Sequence, residues 1–85
     1  MACWLYVLYS EKADRYYVGQ STDPHRRLEF HNSIENGFTA RYRPWRIVFL
    51  RECESTEIAG KLESKVKRWK SRKMIEKLIK KEITL

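Results

Sequence analysis

The chain has 85 residues, of which 42% are hydrophobic and 13% aromatic, with three glycines and two prolines. That length and composition fit one folded domain with a modest core and exclude a disordered tail. The net charge of +7 is uneven: residues 56–85 carry ten Lys/Arg against four Glu, and residues 1–55 carry eight against seven acids. The basic excess is therefore C-terminal and points to a polyanionic partner, most simply nucleic acid. No apolar run of about 18 residues occurs, so no membrane span is expected. The start, Met-Ala-Cys-Trp, does not read as a signal peptide, which makes a cytoplasmic location the expectation. Cys3 and Cys53 form no Cys-x-x-Cys motif and are expected to be reduced, buried thiols.

Trp4-Leu5-Tyr6-Val7-Leu8-Tyr9 is a β-prone run, Ser10 to Arg15 has turn character, and Tyr16 to Gly19 returns as a second strand. If Tyr9 faces Tyr16 in this hairpin, Leu8 faces Tyr17 and Tyr6 faces Gly19. Tyr6 and Tyr17 then share one face, and a slip of one residue would separate them. Asp23-Pro24 is a good helix start, with Asp23 as cap and Pro24 at the first position. The helix runs to about Ile34, and Glu35-Asn36-Gly37 is its stop. Within it Arg27 and His31 stand at i and i+4, on one face.

Phe38 to Pro44 reads as a basic aromatic loop, and Arg46 to Arg51 has the composition of a third strand. Ser55 or Thr56 can cap a second helix reaching about Lys70. Its residues Ile58, Ala59, Leu62, Val66 and Trp69 recur at helical spacing and should pack on the sheet. At ~100° per residue, Glu63 lies at the border of that stripe. Ser71 can cap a third helix to about Lys80, with Met74, Ile75, Leu78 and Ile79 as its apolar side. The order is β-β-α-β-α-α, an α+β fold, with no repeat or linker, read as one domain over residues 1–85.

These residues cover the needs of phosphodiester hydrolysis: a nucleophilic water, an acceptor for its proton, and positive charge for the developing phosphorane. Arginine binds phosphate oxygens bidentately and keeps its charge, so Arg27 suits the phosphorane clamp. One carboxylate can hold a divalent cation together with waters and substrate oxygens, and Glu63 is the candidate. A tyrosine is a poor base near neutrality unless a neighbour assists it; His31 could be that neighbour. Each residue has a plainer role open to it: the strand tyrosines as half-buried aromatics, Arg27 on the surface, His31 in packing, and Glu63 paired with Lys67 one turn on. His25 has no evident partner and should be exposed.

On these residues the chain resembles the GIY-YIG nucleases, and in particular small standalone bacterial members, over nearly its whole length. Trp4-Leu5-Tyr6 matches the first motif and Tyr17-Val18-Gly19 the second, with Trp4 standing where the family has glycine. Arg27, His31 and Glu63 fall on the family's arginine, its histidine or tyrosine, and its metal-binding glutamate. The resemblance implies a three-stranded antiparallel sheet flanked by helices. It also implies endonucleolytic hydrolysis of DNA around one magnesium or manganese ion bound by Glu63. It makes Tyr6 the general base, with His31 accepting its proton, Tyr17 positioning water or phosphate, and Arg27 stabilising the phosphorane.

Between Phe38 and Trp45 aromatics interleave with arginines, a combination that stacks on exposed bases while neutralising phosphates. Phe38 and Trp45 are expected to anchor in the core, leaving Arg41, Tyr42 and Arg43 as contacts. Lys65, Lys67, Lys70, Arg72 and Lys73 are candidates for a phosphate track without sequence choice. The chief rival is a nucleic-acid-binding module of the same fold with feeble or absent catalysis; a third is a protein-interaction module that docks an acidic partner.

Overall fold

The computed structural model describes residues 2–34 and 37–85, without the side chain of Phe38. Strands β1 (Cys3–Ser10), β2 (Arg15–Ser21) and β3 (Trp45–Cys53) form an antiparallel sheet in the order β2-β1-β3. Helix α1 (Pro24–Ser33) follows the hairpin, and α2 (Thr56–Arg68) and α3 (Arg72–Ile79) follow β3. This is the expected β-β-α-β-α-α order. The Phe38–Tyr42 stretch, read as a loop, forms a 3-10 turn.

Central strand β1 is buried on both faces. Cys3, Leu5 and Val7 point toward Ala59 and Val66 of α2 and Leu78 of α3; Tyr6 and Leu8 point the other way, toward Trp45, Leu28 of α1 and Tyr42. Each fully buried aliphatic side chain here stabilises the fold by roughly 1.5–3 kcal/mol, so β1 joins two small cores into one sandwich. The hairpin register is the expected one: Tyr9 faces Tyr16, Leu8 faces Tyr17 and Tyr6 faces Gly19. On the other side, Val7 pairs with Phe49 and Leu8 with Ile47, so Val48 is an extra residue at a β-bulge. Cys3 and Cys53 sit opposite each other, buried and unbridged.

The helices start at side-chain caps. Asp23 accepts from the Arg26 N–H, Ser55 from Ile58 and Ser71 from Met74, which answers the choice between Ser55 and Thr56 in favour of serine. The expected stop of α1 at Glu35-Asn36 lies outside the described residues; the helix ends with the Ile34 N–H bonded to the Phe30 carbonyl. Helix α2 ends two residues before Lys70, which has φ +48°. Its stripe is narrower than expected, because Ile58 is 42% exposed. Ile58 lies ~100° back from Ala59, at the edge of the face that meets the sheet.

Trp45 anchors in the core as expected, 3% exposed. Asn32 grips its backbone from α1, accepting from Trp45 N–H at 2.7 Å and donating to its carbonyl at 3.0 Å. The expected anchor Phe38 falls outside the described side chains. Gly19 has a specific reason to be glycine: a Cβ there would stand 2.5 Å from the Tyr6 hydroxyl oxygen. Tyr6 is buried and cannot simply swing away. Gly19→Ala should therefore destabilise the protein by about 1–3 kcal/mol, read from the midpoint of urea unfolding; an unchanged midpoint would contradict this close approach.

Candidate active site

A polar cleft of about 420 Å3 opens where β2 runs out toward α1. Tyr6, Tyr17, Gly19, Arg27 and Glu63 line it, with the backbone stretch around Gln20 to Thr22. Four elements deliver the side chains. The hairpin register sets Tyr6 of β1 and Tyr17 of β2 on the same face. The Asp23 cap starts α1 so that Arg27 falls one turn in, its N–H bonded to the Asp23 carbonyl. Glu63 comes from α2, which packs on the opposite face, so its carboxylate reaches the cleft around the edge strand β2. Gly60, one turn earlier, allows that proximity: a Cβ there would stand 3.2 Å from the Gln20 amide nitrogen.

His31 does not line the cleft. It is buried behind Tyr6, 1% exposed, with Nε2 3.1 Å from the Tyr6 hydroxyl and Nδ1 3.1 Å from Oγ1 of Thr39. Its ring also lies 4.9 Å from that of Tyr17. Arg27 and His31 thus meet at the Tyr6 phenol from two sides, one from the cleft and one from the interior.

Burial is the main reason why the Tyr6 hydroxyl is pushed up to about 12, and the neighbouring Tyr17 adds to it. The positive Arg27 guanidinium beside the phenol pulls the value back, while Glu63 raises it. Arg27 also lies 4.4 Å over the Phe30 ring, close enough for a cation–π attraction. The plainer possibility for Glu63 is realised as well: its carboxylate accepts from Lys67 at 2.6 Å. Lys67 in turn lies 6.0 Å from the centre of the Tyr17 ring.

Among the described residues, no three His, Cys, Asp or Glu side chains group to hold a metal ion. Glu63, whose side chain is 20% exposed, is the acidic side chain of the cleft. One carboxylate oxygen donor with room for water and phosphate oxygens is a set that magnesium accepts and that zinc or calcium sites do not resemble. The residues present fit a hard divalent ion completed by substrate, provided Lys67 gives up its bond.

The candidates for nucleic-acid contact have different surroundings. Arg41, Lys65, Lys70 and Lys73 are exposed. Tyr42 packs edge-on against Trp45, with the Arg15 guanidinium 5.2 Å from its ring. Arg43 donates from Nε to the His31 carbonyl at 2.8 Å, and Arg72 is bonded to Asp14 and Glu76. His25 is exposed, as expected. Thr39, the partner of His31, escaped the sequence reading. The available signal was a small hydroxyl residue in an otherwise aromatic and basic segment, and nothing local tied it to a histidine eight positions earlier.

The model of the GIY-YIG catalytic domain matches residues 2–78. The solution NMR structure of a UPF0213 protein from Bacillus halodurans superposes with a TM-score of 0.60 and 32% identity, covering 94% of this chain and 84% of its own. No curated protein matches the chain. No helix among the described residues is long and apolar enough to cross a membrane. With its catalytic-domain match running from β1 to α3, the chain belongs to the GIY-YIG family of nucleases.

Proposed function

We propose that this chain, acting as one unit over residues 1–85, is a metal-dependent endonuclease that hydrolyses phosphodiester bonds of DNA with low sequence specificity. The observation that carries this reading is the convergence of Tyr6, Tyr17, Arg27 and Glu63 on one polar cleft, with His31 behind Tyr6. Magnesium or manganese held by Glu63 would supply Lewis-acid charge at the scissile phosphate. Arg27 binds the phosphate oxygens and stabilises the charge that develops on them. Tyr17 positions the water or the phosphate.

The buried contacts support a proton path. With the Tyr6 phenol near 12, only about one molecule in 10^5 is a phenolate at neutral pH, so a free phenolate is not the working base. Tyr6 instead takes a proton from the attacking water as it hands its own to His31. If Nδ1–H of His31 donates to Thr39, the Nε2 lone pair is left to accept that proton. Exposed Lys65, Lys70 and Lys73 contribute phosphate contacts, which position a strand without reading its sequence.

One observation favours the rival, a binding module of the same fold with feeble catalysis: Lys67 occupies the Glu63 carboxylate. The two readings separate in one experiment, with labelled single-stranded, duplex and branched DNA and RNA incubated with magnesium, manganese or chelator. The nuclease reading expects metal-dependent cleavage that falls about 10^2-fold or more in Arg27→Ala and disappears in Glu63→Gln, with binding in chelator retained by Glu63→Gln. Binding without cleavage under any metal gives the rival the lead.

A second test uses the Tyr6 proton. Its folded value lies above the ordinary 10, so the stabilisation is complete below pH 10 and is lost as pH rises toward 12. The slope approaches 1.4 kcal/mol per pH unit, about 2.7 kcal/mol over the whole interval. Urea unfolding of the wild type and Tyr6→Phe below and above pH 10 should show the wild type losing more stability. A pH-independent difference between the two would contradict the burial of the phenol.

A further inference from the structure

A second and larger depression, about 610 Å3, runs along the outer edge of β2 between that strand and the junction of α2 with α3. It joins the polar cleft at Tyr17, which lines both, and at Lys67, which borders the groove and is bonded to Glu63 in the cleft. From there the groove follows β2 back to the hairpin turn at Ala13 and Asp14. Val18, Val66 and Ile75 give it an apolar lining; Lys67 of α2 and Lys70 of the α2–α3 junction make one wall cationic.

Arg72 closes the far end in an unusual setting. Nη1 donates to the Asp14 carbonyl at 2.7 Å, Nη2 to the Asp14 carboxylate, and Nε to Glu76 at 3.3 Å. The guanidinium lies 5.2 Å from the centre of the Tyr16 ring, whose hydroxyl also donates to Glu76. Two carboxylates balance its charge and three bonds in its own plane fix its orientation, so it is poorly placed to clamp a phosphate. What it offers the groove is a flat, rigid surface, the kind on which bases stack.

We propose that this groove binds one unpaired nucleoside next to the scissile phosphate, with its base stacked on the Arg72–Tyr16 layer and its phosphate toward Lys67 and Lys70. The proposal rests on the nuclease reading for the place of that phosphate. A planar apolar base at one end and an anion at the other match a groove with a flat far end and cations on the side nearer the cleft. The volume lies in the range of small-molecule sites. An acidic peptide would satisfy the lysines but leave the platform unused. Arg72 then acts by stacking, a different part from the phosphate contact expected of it from sequence.

The test is equilibrium binding in chelator of a short single-stranded oligodeoxynucleotide, either intact or with one abasic residue moved through successive positions. Amide NMR shifts are followed at Val18, Ser71 and Ile75. The abasic residue should weaken binding ~10-fold at one position and remove the shifts. Arg72→Lys, which keeps the charge and loses the plane, should bind intact and abasic strands alike, whereas Lys70→Ala should weaken both equally. If the wild type binds intact and abasic strands with equal affinity while cleavage is metal-dependent, the groove proposal is overturned and the nuclease reading stands. Base-dependent binding with no cleavage under any metal supports the nucleoside groove and overturns the nuclease reading. Binding of neither strand overturns the groove proposal, and the nuclease reading is then decided by cleavage alone.

Discussion

The Tyr6 hydroxyl, seated over Gly19 and bonded to His31, is the constraint on which the rest of the site depends. Tyr6 comes from the middle of the central strand, where one neighbour in register is Gly19 and the other is Leu50. The glycine leaves a space the size of a side chain above the sheet, and the phenol fills it. Burial makes the phenol reluctant to ionise, and a buried imidazole nitrogen lies within hydrogen-bond reach of it. A slip of the hairpin by one residue would take Gly19 from opposite Tyr6 and put Tyr17 on the other face, so the packing of both cores also fixes the geometry of the site.

The second constraint is topological. Edge strand β2 is covered by α2 on one face and lies beside α1 on the other, and the cleft forms where its C-terminal end leaves the sheet. Arg27 from α1 and Glu63 from α2 belong to helices on opposite faces, yet both side chains reach the same space. The i,i+4 pair of Glu63 with Lys67 stabilises a helix by only a few tenths of a kcal/mol. Such a weak bond is easily exchanged, so it closes the carboxylate without a large barrier to a cation or phosphate that competes for either partner.

Much of this was legible in the chain. The caps at Asp23 and Ser71, the β-prone run of β1 and the stripe of α2 each follow from local rules, and the hairpin register followed from pairing Tyr9 with Tyr16. The position of Glu63 at the border of its stripe also came from helical geometry alone. What the sequence did not reveal depends on contacts distant in the chain. Thr39 behind His31, the grip of Asn32 on Trp45, and the capture of Arg72 by Asp14 across 58 positions leave no periodic trace. Ile58 was misplaced for a related reason: spacing marks an apolar stripe, but the width of stripe that is buried depends on how far the sheet extends beneath the helix.

If the proposed function holds, this cleft is the place where a divalent cation and the substrate meet. Paramagnetic line broadening by manganese measures it directly, with amide NMR spectra recorded in the presence of a short oligonucleotide. Broadening should centre on Gly19, Gln20, Arg27 and Glu63, and should be lost in Glu63→Gln. Broadening centred on another acidic group, such as Asp14 with Glu76 or the exposed Glu57, would contradict it.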